Sequence, residues 1–255
     1  MTSEQVGQVH ADDTTVTVSD ATAAIAPVGA VVGASAHETT TADSFVSTVN
    51  GSTTEIPKDP SDGLTMTTPT GAEISVDLPF ADTANDGAKT KTGAVVYADA
   101  APDVAVAAQP TADGGMRALV VIDGPQAPTE YRYPMTLPAD ASLLPTADGG
   151  AAAIGTDGQL ITYIAPPWAL DANKQPVPTQ YRIEGTTLVQ VIDHQGATYP
   201  SPQTPAGGVG RVSRRSSPAL HTGLPAERLP VASQAPYLLH GAEASAVFLA
   251  PLAAQ

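Results

Sequence analysis

The side chains able to do acid–base chemistry are few and scattered along the chain. Five histidines, His10, His37, His194, His221 and His240, are the natural proton carriers near neutral pH. Only His194, next to Asp193, falls in a segment patterned as scaffold. A hydrolase triad needs Ser, His and a carboxylate brought together, and the sequence has no G-x-S-x-G elbow. Asp193-His194 therefore reads as a strand end, with Asp193 opening a turn at Gly196. The stretch HETTT (37–41) begins like a zinc-binding helix but lacks the second His four residues on. Asp171 and Asn173, in LDANKQPVP (170–178), have the spacing of calcium-loop ligands without the later ligands or the Gly such a loop requires. An Asx-turn accounts for them. No catalytic, cofactor or metal site is expected.

Trp168, in APPWALD, is the single tryptophan. With Tyr163 and Tyr181 it would make an aromatic shelf for a sugar or a proline-rich peptide. The alternative is packing, with Trp168 closing the end of a β-sandwich. These three residues are the candidate surface contact. Arg214 and Arg215, in SRRSS (213–217), are too few to make a basic recognition patch.

The elements that would position these residues are short strands. GAEISVDLPF (71–80) alternates, with Ile74, Val76 and Leu78 on one face and Glu73, Ser75 and Asp77 on the other. TEYRYPMTL (129–137) likewise separates Tyr131 and Tyr133 from Glu130 and Arg132. TGAVVYADA (92–100) and DVAVAAQ (103–109) predict two strands joined at Pro102, and MRALVVID (116–123) predicts a central one. QLITYIA (159–165) follows a turn at Asp157-Gly158 and ends at Pro166-Pro167, which cannot extend a ladder. TQYRIEGTTLVQVIDH (179–194) predicts a hairpin about Glu184-Gly185. Asn50-Gly51 tolerates positive φ at both centres of a type I′ turn, so a hairpin is expected over 44–56. The hexapeptide PTADGG occurs at 110–115 and again at 145–150. Asp-Gly before an apolar run reads as one turn chemistry used twice.

About ten short strands without an amphipathic helix predict an all-β fold, a sandwich or meander. Three regions are expected: a Thr/Ala-rich arm over 1–64, largely unordered over 1–43 apart from a strand that TTVTVSD (14–20) could form and with the hairpin at 44–56, a β-sandwich module over 65–200, and a Pro/Arg/Ser-rich tail over 201–255. The chain has 22 Gly and 24 Pro, which favour turns over long helices, and only 4% aromatic residues, which predicts a thin core. A net charge of −15 argues against direct binding to nucleic acid or an anionic membrane. With no cysteine, disulfides and thiolate chemistry are excluded. No apolar run reaches the roughly 20 residues of a membrane helix. ATAAIAPVGAVVGASA (21–36) is the nearest to a signal core, but it contains Pro27 and no basic stretch precedes it.

From about Gly93 to Pro200 the chain resembles secreted actinobacterial proteins without an assigned activity. GAVVYADAAPDVAVAAQPTADGGMRALVVIDGPQAPTEYRYPMTLP and APPWALDANKQPVPTQYRIEGTTLVQVIDH carry the likeness. The resemblance implies a secreted or cell-surface β module with a cell-envelope or protein partner. It implies no catalytic residue. Such proteins continue with a Tyr-Pro-Val-Val-Ala-Asp-Pro-like segment, whereas this chain reads Ser-Pro-Gln-Thr-Pro after Pro200. Regrouping the codons of 201–205 one base earlier permits Val-Ala-Ala-Asp-Pro. All but two of the 26 acidic residues precede Ser201, and neither Asp nor Lys follows it. The expectation is an out-of-frame 201–255 with little packed structure. Functionally, the chain is expected to be a non-enzymatic spacer or binding and presentation module. The alternative is the leader module of a secreted enzyme or toxin whose effector was lost.

Overall fold

The computed structural model describes residues 14–26, 37–199 and 244–251. In chain order these form α1 (Val18–Ile25), β1 (His37–Thr40), β2 (Ser44–Val49), β3 (Ser52–Pro57), β4 (Leu64–Thr67), β5 (Glu73–Val76) and β6 (Ala88–Lys89). There follow β7 (Val95–Ala101), β8 (Val104–Pro110), β9 (Met116–Ile122), β10 (Glu130–Thr136), β11 (Ser142–Pro145) and β12 (Ala151–Ile154). Then come β13 (Leu160–Ile164), β14 (Trp168–Ala169), β15 (Thr179–Glu184), β16 (Thr187–Ile192) and β17 (Ala244–Pro251).

The fold is all-β. One antiparallel sheet runs β1-β2-β3-β4-β5-β10-β16-β15, and the other runs β11-β12-β13-β17-β9-β8-β7-β6, with β14 also paired to β17. Alternation places Ile74, Val76, Tyr131, Tyr133 and Leu188 of the first sheet in one buried cluster with Val95, Tyr97, Val106, Val120 and Ile164 of the second. Tyr97 donates its hydroxyl to the Pro57 carbonyl at 2.6 Å, joining β7 to β3 across that core. On the far side of the first sheet, Arg182 binds both oxygens of Glu130 at 3.1 Å and Glu184 at 2.9 Å. Val189 sits between Arg132 and Arg182 in the ladder and is fully buried.

The β7–β9 part of the second sheet is apolar on both faces, and α1 covers its outside. Ala21, Ala24 and Ile25 join Ala94, Val96, Ala105, Ala107, Leu119 and Val121 in a second buried cluster. Small residues on both partners let the helix come close. Thr17 caps it, accepting from the Asp20 amide at 3.2 Å, and Pro27 follows its end. The expectation of an unordered arm fails over 18–25, and TTVTVSD (14–20) leads through the Thr17 cap into this helix instead of forming a strand. Eight residues are too few to display a helical period, and the helix is stabilised by the sheet beneath it.

Seventeen strands appear among the described residues where about ten were expected. The excess is mostly strands of two to four residues, such as β1, β4, β6, β11 and β14, too short to show alternation. The 44–56 hairpin is β2–β3, with Asn50 at φ 51° and Gly51 at 82°. β1 and β4 lie beside it, so the first sheet begins within the stretch read as an arm. β9 is interior, as its composition predicts.

Ala244–Pro251 differs most from expectation. It lies in the stretch read as a tail, yet pairs with β9 on one side and with β14 and β13 on the other. A segment of small and apolar residues without charge suits a strand that is central in a sheet apolar on both faces. The remainder of 201–255, with SRRSS, His221 and His240, lies outside the described residues, as does His10.

One turn unit recurs through the fold. In both PTADGG copies the Thr amide donates to the second Gly carbonyl, and the first Gly amide returns to the Thr carbonyl. The first glycines have matching φ, 93° at Gly114 and 91° at Gly149. The same bonds close 68–72, 90–94, 155–159 and 171–175, the last with Lys174 at φ 65°. This is the three-residue hairpin loop ending in a left-handed residue. Reuse of turn chemistry therefore explains the repeat.

Candidate functional site

The two ring nitrogens of His194 are both engaged. Nδ1 lies 2.8 Å from the Tyr199 hydroxyl and Nε2 lies 3.3 Å from the Pro128 carbonyl. The Tyr199 hydroxyl is also 3.0 Å from the His194 carbonyl, and the rings meet edge to face at 6.0 Å. His194 is buried and bonded to no serine. It works as a clasp that ties the segment after β16 back to the loop before β10.

Asp171 is an Asx-turn. Its Oδ1 accepts the amides of Asn173 and Gln175, each at 2.8 Å, and its Oδ2 accepts that of Thr198 at 3.4 Å. Asn173 turns its side chain to Thr198 rather than toward Asp171. The first four residues of HETTT form β1 and not a helix. Among the described residues no group of three or more His, Asp or Glu is placed to hold a metal ion.

The three aromatic candidates are not one shelf. Tyr163 stands opposite Ala250 and Trp168 opposite Ala246, positions of the same parity on β17. Both therefore face the outside of the second sheet, about 13 Å apart by strand rise. Trp168 is half-buried against the α1-covered cluster. Leu144 shares this face, because it pairs with Ala152, which pairs with Tyr163. At 49% exposure it is the one large exposed hydrophobic residue among those described. Lone leucines carry no sequence signal, so only the pairing of β11, β12 and β13 reveals its place in this row.

The Tyr163 hydroxyl is anchored on Asp148 of the second PTADGG turn. Hydrogen bonds from Thr146 first, then Tyr163 and the Gly150 amide, hold the Asp148 carboxyl down at about 2. Burial first, and then Asp148, pushes the Tyr163 phenol up to about 12. Asp148 thus stays ionised as the acceptor of its own turn, and Tyr163 stays neutral.

Tyr181 lies on the opposite side, among the residues packed between the sheets. Burial, with a smaller contribution from Tyr133, pushes its phenol well above the ordinary value. With Ile183 it forms one wall of a cleft of about 370 Å³, and Pro145, Thr146, Gly149 and Gly150 form the other. A side chain at Gly150 would stand 2.3 Å from the Ile164 carbonyl, so glycine is what lets that turn close on β13. No helix of the described residues is long and apolar enough to cross a membrane. No protein-family model, curated protein or solved structure matches the chain.

Proposed function

We propose that the protein is a non-enzymatic β module of the cell exterior, a spacer that also binds an envelope component through the outer face of its second sheet. The observation that carries this reading is the register placing Leu144, Tyr163 and Trp168 on one face. Aromatic and aliphatic surface held on paired strands suits a flat, neutral ligand such as a cell-wall glycan. The net charge of −15 disfavours polyanions. Secretion rests on the resemblance over 93–200. Trp168, the single tryptophan, reports directly on this face. Titration with soluble glycan from an actinobacterial wall is expected to shift its emission. Tyr163→Ala should weaken binding and Leu144→Ala should weaken it less. Unchanged emission, with no co-sedimentation with wall material, would discard the reading.

The loss of acidic residues after Pro200 favours a second reading, in which the module once led into a secreted effector. That reading has to accommodate the seating of Ala244–Pro251 in the sheet. Sequencing the DNA across codons 199–205 and beyond tests it. A single-base restoration that opens a long frame supports it, and the lack of one removes it.

A further inference from the structure

β17 is central in its sheet yet last in the chain, and residues 200–243 separate it in sequence from the strands it joins. Without it, the β6–β9 block and the β11–β13 block of the second sheet have no ladder between them among the described residues. The seam is walled on both sides. On one side β9 pairs with Ala244 through Leu249. On the other, β14 takes Ser245 and Ala246, and β13 takes Leu249 through Pro251. Met116, Ala118 and Val120 of β9 belong to the inter-sheet core, while Leu119 and Val121 belong to the cluster under α1. An extended, uncharged segment entering here would be apolar-matched on both faces and bonded along both edges.

We propose that the seam between β9 and the β13–β14 pair is a strand-acceptor site that takes Ala244–Pro251 from a second copy of the chain as well as its own, so that the protein associates by reciprocal strand exchange. The same contacts form in either case, so only the tether distinguishes them. The entropy of closing a loop grows slowly with its length. A connection as long as 200–243 therefore gives the chain's own strand an advantage that high protein concentration can match. Unseated, the run AVFLAP is an apolar segment without charge, prone to pair with other chains. Exchange gives that tendency a closed, two-fold outcome rather than an open one.

The chain has no cysteine, which makes the test clean. Ala118 and Val247 are direct partners across the seam. Full-length Ala118→Cys and full-length Val247→Cys, mixed in denaturant and refolded together, should yield a disulfide joining one copy of each. Neither variant alone should do so. The linked fraction should fall when the chains are diluted before refolding, and Trp168 emission should match the native protein. A chain carrying both substitutions should close its own disulfide. If that chain closes but the mixture never links, the strand seats only in its own copy and the proposal is wrong. If that chain does not close, the strand does not occupy the seam and the proposal is equally wrong.

A second measurement avoids introduced thiols. Val247→Pro removes a ladder donor from a central strand and should unseat it. A labelled peptide spanning Ala242–Leu252 should then bind this variant and restore native Trp168 emission, while leaving the wild-type chain unaffected. A folded Val247→Pro chain that ignores the peptide would overturn the proposal, and if this variant fails to fold, the disulfide experiment decides alone.

Discussion

Tyr97 and Pro57 form a polar link between the two sheets: a phenol buried in the apolar core gives its proton to a backbone carbonyl at 2.6 Å. The carbonyl belongs to the last residue of β3, where the ladder to β4 has already ended. The bond thus satisfies a group that the sheet leaves open. Tyr97→Phe keeps the ring and removes the bond, and is expected to lower the unfolding free energy by about 1 kcal/mol. The check is a urea midpoint that falls with the slope unchanged.

The two PTADGG turns share a conformation but not an environment. A side chain at Gly149 would meet nothing, whereas one at Gly114 would stand 2.7 Å from the Val49 carbonyl of the neighbouring hairpin. Gly149→Ala should therefore cost only the left-handed penalty, about 1–2 kcal/mol. Gly114→Ala should cost clearly more. Thermal unfolding of both variants ranks them, and equal losses would contradict the packing described for Gly114.

Asp123 ends up among acids because α1 docks where it does. Burial first, then Asp20 and Asp103, pushes its carboxyl up to about 6. An acid with a raised folded-state value binds its proton more tightly when folded. Its contribution to stability therefore falls as pH rises from the ordinary aspartate range toward about 6. Asp123→Asn should raise the Tm near neutral pH and change it little near about pH 4. Calorimetry at the two values separates this from a pH-independent packing effect.

The His194 clasp makes a contrasting prediction. Tyr199→Phe retains the edge-to-face ring contact and deletes the hydroxyl that lies between the His194 ring nitrogen and carbonyl. Stability should drop by about 1 kcal/mol. Amide exchange should quicken first in the loops around Pro128 and Tyr199, with the β9 amides unaffected.

The sequence by itself determined what depends on near neighbours. Asn50-Gly51 turns because both residues accept positive φ, and Asp-Gly pairs close hairpins because a carboxylate and a left-handed residue complete the same loop. The inward set Ile74, Val76, Tyr131 and Tyr133 follows from a period of two residues, and the Asx-turn at Asp171 follows from the short polar side chain two residues before Asn173. Tertiary structure decided everything set by partners far along the chain. The period of β16 does not reveal that Leu188 and Gln190, rather than Val189 and Val191, point inward, because the opposing sheet chooses the face. The separation of Tyr181 from Tyr163 and Trp168 likewise comes from membership of different sheets. Val18–Ile25 is a helix because the outer face of the second sheet is apolar and needs cover. Ala244–Pro251 is a central strand because β9 and β13 leave a seam that only an extended, uncharged segment fills.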